Sequence, residues 1–196
     1  NTSALSLDWS QNGQKIYAGF KNCFKVFDVQ TLTEDMHYDM KKCLKNGKKM
    51  NGHTPLGGLV SCIASQPLGK LVSFGSYSGG LCLSNQNSGK AACVMQDVFP
   101  GGVTGMKWSS DGVYLVCGGR KSKKLYCFDV RRYDLANKSI KPVYEFDRVC
   151  DTNQRIDFNI LDNRWVLSGD TSGSGKIYTF DIQTGDVVEV VATGIK

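Results

Sequence analysis

Short apolar runs separated by turn residues recur four times along the chain, and no window of about twelve residues carries a helical apolar stripe. Each copy contains a first run, a turn, a second run that ends in glycine, and a third run that closes on a polar residue. The third copy shows this order most clearly, in Val103–Ser109, Asp111-Gly112, Leu115–Gly118 and Leu125–Asp129. The pattern predicts an all-β protein made of repeated units.

The residues that close the four copies set the size of the repeat. They lie 57, 44 and 52 positions apart, at Asp28, Asn85, Asp129 and Asp181. Such intervals bracket the roughly 40–50 residues of a four-stranded propeller blade with its loops. The second copy is the most divergent, because it closes on an amide instead of an acid.

Two dipeptides between apolar runs, Asn12-Gly13 and Asp111-Gly112, are strong hairpin signals. A two-residue type I′ turn needs positive φ at both central residues, which asparagine, aspartate and glycine tolerate best. These dipeptides therefore predict tight hairpins between the first and second strands of their copies.

The third copy also resembles the spaced signature of WD repeats. Its Asp111-Gly112, Cys117-Gly118 and Phe128-Asp129 follow that signature, with phenylalanine instead of the usual tryptophan. The resemblance implies a β-propeller. The Gly-His pair that usually precedes the first strand is missing from three copies, so we expect the histidine–aspartate network of ideal repeats to be absent or replaced.

Four blades account for nearly the whole chain under this interpretation. Their expected limits are 2–35, 58–98, 101–135 and 143–196, with a lysine-rich loop between blades at 36–56. Because the chain opens inside a first strand, we expect these blades to be part of a larger ring of roughly seven, within the four to eight blades that propellers hold.

Composition argues against several classes of site. The eight cysteines contain no C-x-x-C pair, so we expect reduced, mostly buried thiols and no zinc site. The two histidines, His37 and His53, fall in the lysine-rich loop and complete no catalytic or metal cluster. The segment Gly169–Lys176 does not have the spacing of a phosphate loop, and we expect a hairpin there. No apolar run reaches the 18 residues of a membrane span. We therefore predict no enzyme activity, cofactor, small-molecule substrate or membrane contact.

The net charge of +6 concentrates in a few segments. One basic run lies on the expected hairpin of the third copy and contains Arg120, Lys121, Lys123 and Lys124, with Arg131 after the closing strand. Arg155 and the lysines of residues 41–49 add to it. Clusters of this kind favour a polyanionic partner, although a solvated hairpin is an equally ordinary explanation for a single basic run. Tyr126 and Tyr133 are candidate base-stacking residues, of which Tyr126 also fits the core.

A more specific resemblance rests on segments outside the general WD pattern. These are Asp151–Phe158, Leu167–Gly173, Gly101–Thr104, Gly119–Lys121 and Cys127–Asp129 with Arg131. With Val60–Ala64 and Phe74–Ser78 they resemble the telomerase Cajal body protein family of WD-repeat RNA-binding proteins. The similarity extends from about residue 2 to 183, and it is weakest in the lysine-rich linkers.

This resemblance implies a function. Members of the family bind small Cajal-body RNAs and telomerase RNA, direct their ribonucleoproteins to nuclear Cajal bodies and support telomerase assembly. The implied partners are H/ACA ribonucleoprotein proteins and telomerase reverse transcriptase, and a cytoplasmic pool is also compatible. The expected RNA contacts are Arg120, Lys121, Arg131, Asn153, Gln154 and Arg155, followed by Lys123 and Lys124, which match the family less well.

Two alternatives stay open at the level of sequence. Asn153 and Gln154 fit either the reading of base edges or the satisfaction of backbone groups at a blade junction. The whole chain also fits a WD-repeat scaffold that binds peptides or proteins on one face and makes no contact with RNA. A propeller enzyme is disfavoured, because the necessary residue clusters are missing.

Overall fold

The computed structural model describes residues 3–40, 57–134, 139–173 and 175–192. Within these residues the chain forms sixteen strands in four antiparallel sheets, and one 3-10 turn at Val130–Arg132. The prediction of an all-β protein is therefore confirmed. In the described part of the chain, no helix has the length and apolar character needed to cross a membrane.

Each sheet contains four strands that are consecutive in sequence. The first sheet contains β1 (Ser6–Trp9), β2 (Lys15–Gly19), β3 (Cys23–Asp28) and β4 (Glu34–Asp39). The second contains β5 (Val60–Ser65), β6 (Leu71–Ser76), β7 (Leu81–Asn85) and β8 (Ala91–Met95). The third contains β9 (Val103–Trp108), β10 (Tyr114–Gly119), β11 (Lys124–Asp129) and β12 (Tyr144–Asp147). The fourth contains β13 (Phe158–Leu161), β14 (Trp165–Gly169), β15 (Lys176–Asp181) and β16 (Val187–Ala192).

The first strands of successive sheets lie side by side. Strand β1 contacts β5, β5 contacts β9, and β9 contacts β13. The strands of each sheet then follow in sequence order away from these inner strands. This radial arrangement of four-stranded meanders is that of propeller blades.

Two outer strands differ from the predicted limits. Strand β4 (Glu34–Asp39) extends into the predicted loop 36–56. His37 therefore lies in a strand that pairs with β3, and not in a loop. Strand β12 (Tyr144–Asp147) pairs with β11 in the third sheet, whereas the predicted limits assigned residues from 143 onwards to the fourth blade. Both strands are half solvated and polar, so they lack the apolar run by which the inner strands were predicted.

Apolar packing between neighbouring sheets forms the core. Phe24 of the first blade stacks on Phe74 of the second with ring centroids 3.9 Å apart. Phe146 of the third blade stacks on Phe180 of the fourth at 4.9 Å. Seven cysteines in the described residues are free, and all but Cys23 are buried. This agrees with the expected reduced thiols, and burial raises the pKa of Cys62 and of Cys127 to about 12.

The closing residue of each copy forms the same turn. The side-chain oxygen of Asp28 accepts hydrogen bonds from the backbone N–H groups of Gln30 and Thr31. Asn85 accepts the equivalent bonds from Asn87 and Ser88, so the divergent second copy keeps the local structure with an amide. Since an Asx turn needs only the Oδ1 acceptor, Asn and Asp are interchangeable for this part of the role.

The hairpins at Asn12-Gly13 and Asp111-Gly112 are confirmed, but their turn type is not. Among the described residues with positive φ are Gly13 and Gly112, and neither Asn12 nor Asp111 is one of them. Gly112 donates its N–H to Ser109 O at 2.9 Å, and Asp111 Oδ1 accepts from the N–H of Val113. The loop is therefore longer than a type I′ turn, and only its glycine needs the left-handed conformation.

Candidate nucleic-acid interface

The connections of the four blades fall at two opposite ends. Because adjacent strands are antiparallel, the turns after β2, β6, β10 and β14 share one end with the segments that join successive sheets. Backbone hydrogen bonds tie these elements together: Tyr77 N to Leu59 O, Lys121 N to Thr152 O and Thr171 N to Val149 O. We call the connections 77–80, 120–123 and 148–157 the basic face.

Three of the predicted cations come together on the hairpin between β10 and β11. Lys121 and Lys123 are exposed, and Arg120 is half-buried. The backbone of Lys121 has φ 49°, which turns the chain sharply at the tip of the hairpin. The N–H of Arg148 donates to Lys123 O at 2.7 Å, so the hairpin is bonded to the neighbouring loop at both Lys121 and Lys123.

The predicted residues of the adjacent loop are also exposed at this end. Asn153, Gln154 and Arg155 all lie in the segment between β12 and β13. Within the described part of the chain, the side chains of Asn153 and Gln154 show no hydrogen bond, so no backbone partner for them is seen. Arg155 lies 3.4 Å from a carboxylate oxygen of Asp157, and both side chains are more than half exposed.

Arg155 also extends the face towards the inner strands. It lines a groove of about 420 Å³ together with Lys107 and Trp108 of β9 and with residues of β1 and β5. Both Asp8 and Lys107 are among the residues that line this groove. A cation of the loop thus reaches the inner edge of the blades as well as their end.

Two predicted RNA contacts do not join this cluster. Lys124 is the first residue of β11, and its ammonium group is paired with the carboxylate of Glu145. Arg131 follows the other end of β11, about 17 Å away for a strand of this length. Its guanidinium binds Asp129 Oδ2 at 2.7 Å, and the basic run 120–132 is therefore divided between opposite ends of the blade.

Arg148 is a residue of this interface that the sequence did not indicate. Its side chain is only 3% exposed, and burial lowers the pKa of its guanidinium below the usual value. One terminal nitrogen donates to Ser168 Oγ at 2.8 Å, and Nε has no hydrogen-bond partner within the described residues. Arg148 therefore anchors the start of loop 148–157 to strand β14. Sequence gave no signal for it, since a lone arginine is usually exposed.

The aromatic residue on the basic face is Tyr77 rather than the two predicted tyrosines. Tyr126 is half-buried and packs against Phe99 with ring centroids 4.9 Å apart. The hydroxyl of Tyr133 donates to the carbonyl oxygen of Ala92. Tyr77 is 39% exposed at the turn between β6 and β7. Tyr77 and the cations belong to different blades, so the sequence alone does not show that they are close.

The other expected residues contribute no metal or catalytic site that the structure describes. His37 is exposed on β4, with Nδ1 3.5 Å from a carboxylate oxygen of Glu34. His53 and the lysines of residues 41–49 lie outside the described residues. Across residues 3–40, 57–134, 139–173 and 175–192, no group of three or more His, Cys, Asp or Glu is arranged to hold a metal ion.

Comparison with known proteins gives matches of two kinds. The family described as "WD domain, G-beta repeat" matches residues 93–129. A chain in the crystal structure of a mitotic checkpoint complex superposes with a TM-score of 0.71 at 21% identity, over 98% of this chain and 54% of that one. The structural match shows the fold alone, and with the WD match it confirms the prediction of a propeller with four blades in this chain.

Proteins similar in sequence over most of this chain point to a narrower group than WD repeats in general. Telomerase Cajal body protein 1 of Homo sapiens is 29% identical over 181 residues, which are 92% of this chain and 30% of that protein. The Drosophila melanogaster homologue is 29% identical over 87% of this chain and 29% of its own length. Guanine nucleotide-binding protein negative regulator 1 of Schizosaccharomyces pombe is 29% identical over 86% of this chain and 41% of that protein.

The chain thus spans about three tenths of the telomerase Cajal body proteins that it matches. The matches to these proteins extend over about nine tenths of this chain. These matches confirm the resemblance of the chain to WD repeats and to the telomerase Cajal body proteins.

Proposed function

We propose that this chain is a non-catalytic RNA-binding part of a WD-repeat protein, and that the basic face holds a single-stranded loop of the RNA. The RNAs are small Cajal-body RNAs and telomerase RNA. The observation that carries the proposal is the contact between two separate basic segments: Lys121 N bonds Thr152 O at 3.0 Å and brings the hairpin beside the loop of Arg155.

The charges of this face suit phosphate contacts. Lys121 and Lys123 are exposed and have no carboxylate partner within the described residues. Arg155 is shared with Asp157 at 3.4 Å, a loose and exposed ion pair that a phosphate can displace. Exposed amides at Asn153 and Gln154 have the donors and acceptors that read unpaired base edges.

Similarity to the telomerase Cajal body proteins supports the rest of the proposal. In this account the protein directs ribonucleoproteins to Cajal bodies of the nucleus and supports telomerase assembly. Its protein partners are H/ACA ribonucleoprotein proteins and telomerase reverse transcriptase. The proposal leaves out two of the expected contacts. Arg131 lies at the opposite end of the blade on Asp129, and Lys124 is closely paired with Glu145.

The test is the affinity of the full chain for a hairpin RNA that carries the loop of a small Cajal-body RNA, measured over a range of salt concentrations. We expect a log–log salt slope of several units, about −0.7 for each phosphate contacted on a single strand. Arg155→Glu and Lys121→Glu should each weaken binding about tenfold or more. Lys70→Glu makes the same charge change on the exposed β5–β6 turn at the opposite end, and it should leave the affinity nearly unchanged.

Equal binding to this RNA and to a scrambled loop would contradict the proposal and favour a protein-binding scaffold. Equal losses from Lys70→Glu and Lys121→Glu would also contradict it, since they would reveal an attraction to net charge without a defined face.

A further inference from the structure

Tyr77 and Arg120 form an aromatic–guanidinium stack at the surface, between two different blades. The guanidinium carbon of Arg120 lies 4.4 Å from the centroid of the Tyr77 ring. Tyr77 is 39% exposed, and it belongs to none of the hydrophobic clusters of the described core. The stack therefore has a solvent-facing side that core packing does not explain.

Backbone contacts hold the two side chains in place. Arg120 Nε donates to Gly101 O at 2.7 Å, and the Arg120 backbone N–H donates to Gly102 O at 3.0 Å. Tyr77 N donates to Leu59 O at 3.0 Å. The stack is thus fixed on both sides before any ligand arrives, which reduces the ordering cost of binding.

Two glycines make this approach possible. A Cβ on Gly101 would lie 2.3 Å from Arg120 O, and a Cβ on Gly102 would lie 2.7 Å from Tyr77 O. Gly102 also has φ 99°, a conformation that side chains rarely adopt. Any other residue at either position would push the two turns apart.

The chemistry of the pair suits a nucleobase. A tyrosine ring and a planar guanidinium both offer flat faces on which unpaired bases stack. A guanidinium has five N–H donors, and within the described residues only Nε of Arg120 has an acceptor. The remaining donors lie at the edge of the stack, where a base or its phosphate accepts hydrogen bonds.

We infer that the Tyr77–Arg120 stack is a base-stacking subsite, which takes one unpaired nucleobase of a single-stranded RNA. This inference rests on the proposed function and assigns a chemical role to a residue outside the predicted site. Tyr77 supplies the platform, Arg120 extends it, and the two glycines are positioning residues. The cations of Lys121 and Arg155 contact phosphates next to this base.

A base-stacking contact differs from a phosphate contact in its effect on the salt dependence of binding. Loss of a stacked base weakens affinity and leaves the number of counterions released on binding unchanged, whereas loss of a phosphate contact lowers that number and so changes the salt slope. Tyr77→Ala should therefore weaken binding of the small Cajal-body RNA loop about tenfold with the slope unchanged. Arg120→Lys keeps the charge but removes the plane, and it should act in the same direction.

Two controls complete the experiment. Tyr77→Phe keeps the ring and should bind as the unaltered chain does, and Lys121→Ala should lower the magnitude of the salt slope by about 0.7. Thermal unfolding of each full-length variant verifies that the fold is kept. Tyr77→Ala and the unaltered chain should have equal affinity for an RNA that carries one abasic nucleotide at the stacked position.

The outcomes separate the two proposals. If the unaltered chain does not retain the RNA, both the RNA-binding function and the subsite are overturned. If it retains the RNA with the expected salt slope, but Tyr77→Ala and Arg120→Lys bind equally well, only the subsite is overturned. A reduced slope for Arg120→Lys or Tyr77→Ala would likewise overturn stacking in favour of a phosphate contact.

Discussion

Asp129 illustrates how one side chain combines a local turn with an ion pair. It is 4% exposed, and its Oδ1 accepts from the Arg131 backbone N–H at 3.0 Å. Hydrogen bonding to the Arg131 guanidinium holds the pKa of this carboxyl below its ordinary value. Asp181 shows the same effect, with Arg164 as the partner. Arginine thus binds the strand-end acid in two blades of this chain.

We expect Asp129→Ala to destabilise the chain more than Asp129→Asn does. Alanine removes the turn acceptor, a loss of about 1–2 kcal/mol by analogy with helix caps, while asparagine keeps it, as Asn85 does in the second blade. Urea unfolding at pH 7 measures both. Equal effects of the two variants would contradict the importance of the Oδ1 acceptor.

The pH dependence of stability in the same variants separates the effect of the Asp129 charge from that of the turn. Because the folded pKa of Asp129 is lowered, the ionised carboxylate stabilises the fold above its unfolded pKa of about 3.9. This contribution is lost as pH falls below that value towards the folded pKa. The difference between the unaltered chain and Asp129→Asn should therefore shrink on acidification, and a constant difference would contradict the ion pair.

Elements were predictable where apolar runs identify them. The three inner strands of each copy follow from these runs, since apolar side chains recur along them. The outer strands β4 and β12 were misassigned because their sequences are polar and their place depends on pairing with β3 and β11. Pairing of that kind is a tertiary property, which the local sequence expresses weakly.

The candidate site shows a similar division. The hairpin 120–123 and the exposed loop 153–155 were predictable, because basic and polar residues between apolar runs indicate surface turns. The exclusion of Arg131 was not, since it depends on which end of β11 each cation occupies. Arg148 and Tyr77 were missed, because their roles come from contacts between blades. The adjacent glycines, Gly101 and Gly102, were the one local signal of that close approach.

The Gly101-Gly102 connection should be sensitive to an added side chain. Gly102→Ala should lower the free energy of unfolding by more than Gly13→Ala does, by about 1 kcal/mol or more. Gly13 has φ 69° and nothing within 4 Å of an added Cβ, so the Gly13→Ala change has only the cost of a positive φ. Gly102 adds a contact of 2.7 Å with Tyr77 O. Chemical denaturation compares the two variants, and equal losses would contradict the tight approach of the turns.

The two ends of the blades differ in the charged groups that they expose. Cations of the third blade and the following loop gather at the basic face, and arginine–aspartate pairs occupy the opposite end at Asp129 and Asp181. Apolar side chains are exposed on the first and last sheets, including Leu7 and Trp9 of β1 and Val188 and Val190 of β16. The expectation of a larger ring stays a prediction, and these faces are the ones that further blades would cover.

Crosslinking tests the central claim most directly, because it maps the RNA on the intact chain. The full chain is bound to the small Cajal-body RNA loop, irradiated with ultraviolet light, and its crosslinked peptides are identified by mass spectrometry. We predict crosslinks in the peptides that contain Tyr77, residues 120–123 and residues 152–155. Crosslinks confined to the Asp129 and Asp181 end, or found equally with a scrambled loop, would contradict the account.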